Sequence, residues 1–297
     1  MINPRLRCFL AGSAMCGLVA ASPAAWGADS ASVSLPRDGA WLANYDDDSC
    51  QLLGKFGTGK SAISAIFTRY QPSEGFDLML QGESLKRSGN TAKVKLAFGP
   101  GQPERVASAD LGTLADKPLM MFSGQRLDSW TWPLDRKDIT PPPVTPAQEA
   151  AVSTLTVGLG GSRSYRLELG SMGKPMATMR DCMDGLLKFW GYDPVAIATQ
   201  SRRATPLGNP GSWVTTNDYP SKAVMMGHNG LLQFRLDLDE AGKVLRCHIL
   251  ARTNPDDFAD IACRALTKRA RFEPALDAAG KPMKSFYMNK VRFVIPG

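Results

Sequence analysis

Gly54-Lys55-Phe56-Gly57-Thr58-Gly59-Lys60-Ser61 has the spacing G-x-x-x-x-G-K-[ST], in which backbone amides and a lysine could cradle the phosphates of a nucleotide. That chemistry needs a helix directly after the loop, because the free N–H groups of a helix start hold the phosphate. The chain instead continues Ala62-Ile63-Ser64-Ala65-Ile66-Phe67-Thr68-Arg69-Tyr70, with Pro72 close behind. Its β-branched and aromatic residues predict a strand, and the motif reads as a Gly-rich hairpin turn. Asp46-Asp47-Asp48 offers three carboxylates, but the alternate spacing and distal Glu of a calcium loop are missing. A solvated turn is expected there. Met176, Met179 and Met183 could present soft ligands to copper, yet their helical spacing reads as core. A hydrolase would need a histidine beside Ser or Cys and an acid. The two histidines are His228, in a turn, and His248, on the outer face of a strand. No catalytic, cofactor-binding or metal-ligating set is expected, and a periplasmic hydrolase is the weaker alternative.

The cysteines point to a compartment. Arg5 and Arg7, the apolar run Cys8 to Ala21 and the small-x-small site Ala25-Trp26-Gly27 form a secretory signal peptide over residues 1–27. The run is shorter than the roughly 20 residues of a spanning helix, so cleavage is favoured over an uncleaved inner-membrane anchor. Cleavage leaves Cys50, Cys182, Cys247 and Cys263, an even count that favours disulfides in an exported chain. Four cysteines allow three pairings. Cys247 and Cys263 lie 16 residues apart on adjacent elements and are paired here. Cys50 then pairs with Cys182.

The elements that must position these residues fall into two units. The chain of 297 residues is 43% hydrophobic and 21% charged, enough apolar content for a packed core. Residues 28–200 read as a β-rich domain, with strands expected at 76–81, 93–98, 119–122, 152–159 and 165–169 and Gly or Pro between them. Pro141 to Pro146 reads as a polyproline segment. Pro175 at a first helical position, an apolar stripe through Trp190 and Gly191 as cap predict one helix. Residues 201–212, rich in Pro, Gly and Arg, read as a linker.

Residues 213–297 carry most of the net charge. Of the +7, the 15 Lys and Arg against 9 Asp and Glu from Ser201 onward account for +6. A basic exported domain could meet anionic polymer or an acidic partner. Nucleic acid is not expected, since aromatic platforms between the charges are lacking. Leu232, Phe234, Leu236 and Leu238 alternate with polar residues in one strand. Leu245, Cys247 and Ile249 share the inner face of the next. Asn254-Pro255-Asp256-Asp257 reads as a helix start, and Phe258, Ile261, Ala262, Ala265 and Leu266 form a buried stripe. In the last strand, Phe286 and Met288 are out of phase with Val291 and Phe293, which predicts a bulge near Asn289-Lys290 or a weakly packed edge.

Several short motifs recur here in a fixed order. They are Asp218-Tyr219-Pro220, a strand ending in Asp239-Glu240-Ala241-Gly242-Lys243-Val244, Cys247 on the next strand, an acid-led helix, Arg271-Phe272-Glu273-Pro274-Ala275, and Gly280-Lys281-Pro282 before a final strand. Together they resemble the C-terminal domain of the TonB energy-transducer family. The resemblance covers residues 213–297. Arg252-Thr253-Asn254 stands where relatives often carry Ser-Ser-Gly. It implies a small domain of three antiparallel strands and two helices that accepts an extended peptide by strand addition at an exposed edge. Ser285, Phe286, Tyr287, Met288, Asn289 and Lys290 would form that edge. The expected fold class is therefore α+β: an exported two-domain protein, with a mainly antiparallel β domain carrying one helix and then the TonB-like domain. The expected partner is a protein or peptide such as an outer-membrane receptor, in energy-coupled transport across the cell envelope. Peptidoglycan on the basic face, or a second copy paired edge to edge, are the alternatives.

Overall fold

The computed structural model describes residues 32–128, 130–131, 141–161, 163–253 and 256–295. The expected signal peptide and the expected helix start Asn254-Pro255 lie outside the described residues. Among the described residues, no helix is long and apolar enough to cross a membrane.

The first unit is built on β1 (Val33–Pro36), β2 (Leu42–Tyr45), β3 (Cys50–Phe56), β4 (Ile63–Arg69), β5 (Phe76–Gln81), β6 (Thr91–Phe98), β7 (Arg105–Leu114), β8 (Lys117–Gln125), β9 (Thr154–Gly158) and β10 (Ser164–Glu168). They form one sheet in the order β1-β10-β9-β6-β7-β8-β5-β4-β3-β2. The β1–β10 ladder is parallel and the rest are antiparallel. Alternation decides the faces: Leu52 and Phe56, Ile63 and Phe67, and Phe76, Leu78 and Leu80 all point into one buried cluster. The sheet curls on itself, because Arg37 bridges to Phe56 and Gly57 N–H donates to the Pro36 carbonyl.

One helix, Gly173–Phe189, packs its apolar stripe into that cluster. α1 (Pro146–Ala151) begins at the last proline of the expected polyproline segment. Pro146 sits at a first-turn position, and Thr145 and Gln148 exchange side-chain and backbone hydrogen bonds in a capping box. α2 (Gly173–Phe189) buries Met176, Met179, Cys182, Met183, Leu186 and Leu187 in the core, and Gly191 follows it at φ 86°. α3 (Pro194–Thr199), capped by Asp193, was not foreseen. Cys182 of α2 is bonded to Cys50 of β3, with Cα atoms 6.0 Å apart.

The second unit contains β11 (Thr205–Pro206), α4 (Ser221–Met226), β12 (Gly230–Leu238), β13 (Val244–Arg252), α5 (Ala259–Arg269), β14 (Phe272–Glu273), β15 (Ala275–Leu276), β16 (Pro282–Met283) and β17 (Ser285–Phe293). The main sheet runs β13-β12-β17, and β11 pairs with β14. Residues 201–212 are thus laced onto this unit, with Arg202 also bridged to Leu276. Cys247 of β13 is bonded to Cys263 of α5, which packs over that strand.

The motifs of the second unit are turn and cap chemistry. Asp218 accepts from the Thr215 backbone N–H and hydroxyl and takes a two-point hydrogen bond from Arg269 at the end of α5. Tyr219 packs edge-on against Phe258 and Phe293 and donates to the His228 carbonyl. Asp239 and Asp277 each accept from two backbone N–H groups of their turns, ahead of Gly242 at φ 75° and Gly280 at φ 78°. A Cβ on Gly242 would stand 2.1 Å from the Phe272 carbonyl oxygen, so that turn and the Arg-Phe run fit together only through glycine.

Two expectations about the strands are corrected. β17 pairs with β12 in one unbroken register from Gly230↔Phe293 to Leu238↔Ser285, with no bulge at Asn289-Lys290. The register shifts fall on β13, which skips Leu250 and Leu245. The second skip turns Leu245 out to 57% exposure and leaves Val244 in the core in its place. The phase change in β17 has another origin. Tyr287, Val291 and Phe293 pack towards α5, while Phe286, Lys290 and Arg292 meet the first unit, so both faces are covered.

Candidate functional site

β17 is the outer strand of the second sheet, with no strand paired to its far edge among the described residues. Its alternate backbone groups face away from β12, as an edge strand requires. Ser285 is buried, and its carbonyl oxygen lies 3.0 Å from the Tyr192 hydroxyl. Phe286 sits edge-on to Trp190 and Tyr192, at 5.9 and 5.3 Å between ring centres. Tyr287 points the opposite way, into the core against Phe272 and Trp213. Met288 is half-buried, and Asn289 is exposed with its amide donating to the Tyr287 hydroxyl. Lys290 bonds Asp77 at 2.7 Å and Ser123 at 2.6 Å. Of the six residues expected at the edge, Ser285, Phe286 and Lys290 are therefore engaged by the first unit.

The polar face of β12 continues this seam. Arg235 is 3% exposed, with its guanidinium carbon 3.9 Å from the centre of the Trp190 ring. Its Nε bonds Asp237 at 2.9 Å. Asp237 also meets His248 Nε2 at 2.9 Å and the Tyr192 hydroxyl at 3.0 Å. Burial pushes the Tyr192 phenol up, and the adjacent Asp237 charge adds to the effect. Asp48 stands 4.0 Å from Arg235, and burial raises its carboxyl despite that cation. Trp190 Nε1 donates to the Asp47 carbonyl. The acidic run read as a solvated turn is a turn that borders this seam. Further along, Arg292 lies 3.0 and 3.1 Å from the two oxygens of Asp110.

Between Lys290 and Arg252 the two units leave a small cleft of about 120 Å³, floored by Leu78, Met121 and Leu231. Tyr70 borders it, and burial pushes that phenol up to about 12.

The remaining candidate residues sit apart from this seam or serve it. β3 and β4 pair antiparallel from Cys50↔Arg69 to Phe56↔Ile63, so the nucleotide-like motif caps a hairpin. A single 3-10 turn, Gly59–Ser61, is the helical structure there. His228 Nδ1 lies 2.6 Å from Asp257. Each histidine thus has an aspartate partner, and among the described residues neither is hydrogen-bonded to a serine or cysteine. Among the described residues, no cluster of three or more His, Cys, Asp or Glu could hold a metal ion. In the cluster Arg235-Asp237-His248-Tyr192, Asp237 meets all three partners, and burial opposes ionisation of the phenol. The chemistry of the cluster is that of a charge-paired interface. Sequence reading missed it because Arg235 and Asp237 occupy the polar face of an alternating strand, where solvent is the ordinary expectation.

Residues 215–295 match the model of a known family, the Gram-negative bacterial TonB protein C-terminal. The resemblance carried by Asp218-Tyr219-Pro220 and the later motifs holds over that span. Comparison with curated proteins finds no match for the chain.

Proposed function

We propose that this chain is a non-enzymatic periplasmic protein that binds an extended segment of a partner protein by adding it as a strand to the open edge of β17. The observation that carries this reading is the placement of β17. It is the outer strand of a sheet in a TonB-type domain, and its nine-residue ladder to β12 is unbroken. Main-chain hydrogen bonds along such an edge supply affinity, and the side chains beside it supply preference. The opposite edge, β13, is bulged twice and is a poorer template. An outer-membrane receptor is the partner class that the family match favours. The engaged side chains Phe286 and Lys290 leave Met288 and Asn289 as the accessible positions. A photo-crosslinking residue at either of these, in cells, is expected to capture an envelope protein through an extended segment. Capture of nothing, or of the chain itself alone, would overturn the reading.

A further inference from the structure

The first unit carries a second feature, remote from β17. Lys86, Arg87, Lys93 and Arg163 line one open basin of about 530 Å³, together with Ser88 and Thr91. The basin lies where the 3-10 turn Glu83–Leu85, the start of β6 and the β9–β10 hairpin meet. No Asp or Glu lines it. Residues 1–200 carry 20 Lys and Arg against 19 Asp and Glu, so four cations on one rim are a local concentration and not a property of the unit as a whole.

The partners of these cations are informative. Lys93 donates to the neutral Ser108 hydroxyl at 2.6 Å. Elsewhere on the same strand Lys95 is neutralised by Glu104 at 3.0 Å. Lys86, Arg87 and Arg163 form no ion pair among the described residues. The Arg87 Nε is buried without a hydrogen-bond partner, and so is the Ser84 hydroxyl three residues before it. Four cations on one rim with no carboxylate beside them favour an anion.

We infer that this basin binds a phosphate-bearing anion. Two guanidinium groups match the oxygens of phosphate in paired hydrogen bonds, and the two ammonium groups add point charge. A single carboxylate would satisfy one of the four cations. The volume suits a small molecule or a headgroup. A soluble phosphate compound and an anionic lipid headgroup share this chemistry, and the test separates them. The inference does not rest on the β17 reading.

The test uses the full exported chain. Inorganic pyrophosphate is titrated by calorimetry, and vesicles of phosphatidylcholine with and without phosphatidylglycerol are co-sedimented. Both are repeated at about 500 mM salt, where exposed charges are screened. Arg87→Gln/Arg163→Gln is expected to weaken binding about tenfold or more. Lys86→Gln/Lys93→Gln, two exposed positions, tests the same basin should the arginine pair disturb folding. Lys268→Gln/Lys284→Gln, exposed in the basic second unit, serves as control. Pyrophosphate binding lost in the basin variants assigns a soluble ligand. Binding to phosphatidylglycerol vesicles alone, lost in the same variants, assigns a headgroup. Binding to neither probe, or equal loss in the control, overturns the inference.

Discussion

Arg235 of β12 lies with its guanidinium carbon 3.9 Å from the centre of the Trp190 ring, at the end of α2, and this contact joins the two units at a charge that is 3% exposed. A desolvated cation over an indole face is worth about 2 kcal/mol. The Trp190 hydrogen bond to the Asp47 carbonyl adds about 1 kcal/mol. Trp190→Ala is therefore expected to destabilise the chain by about 2–3 kcal/mol in chemical denaturation, and to open residues 191–212 to limited proteolysis. Trp190→Phe keeps an aromatic face and should recover more than half of the loss.

The Asp218–Arg269 pair sets an acid limit on the second unit. The Arg269 hydrogen bond, helped by the Thr215 backbone N–H, holds the Asp218 carboxyl well below the usual carboxylate range. Its folded value is lowered, so its contribution is complete above the unfolded value near pH 4 and is lost as pH falls further. At this largely solvated site the contribution is about 1 kcal/mol. Asp218→Asn should be less stable than the parent at pH 7, and the difference should shrink steadily below about pH 4. A constant difference across that range would refute the assignment.

The two disulfides close loops of different length. Cys50–Cys182 spans 132 residues and Cys247–Cys263 spans 16. Replacing the first pair by serine should cost about 4–5 kcal/mol and the second about 3 kcal/mol. Denaturation of the two variants, with and without reductant, checks both the size and the order.

Lys60 caps the β3–β4 hairpin and buries nothing in the core. Lys60→Ala is expected to leave the melting temperature within about 1 °C, since surface changes away from special features are near neutral. Calorimetry should detect no heat of ATP binding with magnesium in either protein. Binding abolished by the substitution would restore the nucleotide reading.

Local rules made much of this architecture legible. Phe76–Gln81 is a strand at both its expected ends, because Phe76, Leu78 and Leu80 alternate without interruption between turn residues. The stripe from Met176 to Leu187 likewise marked α2. The opening strands were less visible. Val33–Pro36 pairs in parallel with Ser164–Glu168, about 130 residues away, and no local pattern announces such a partner. The seam was hidden for a different reason. A polar strand face reads the same whether it meets water or a complementary charge. Arg235, Asp237 and Lys290 read as facing solvent or a partner, and they are paired within the chain. The mixed phase of β17 was the one local trace of a second covered face.

The contrast between the two ladders of β12 has a mechanical consequence. A pull along β17 would load all nine pairs of its unshifted register with β12 at once, in shear. The ladder on the other side is interrupted at Leu245 and Leu250, so the same pull there would yield segment by segment. Tension entering at β17 would thus pass into the middle of the sheet before anything gives way.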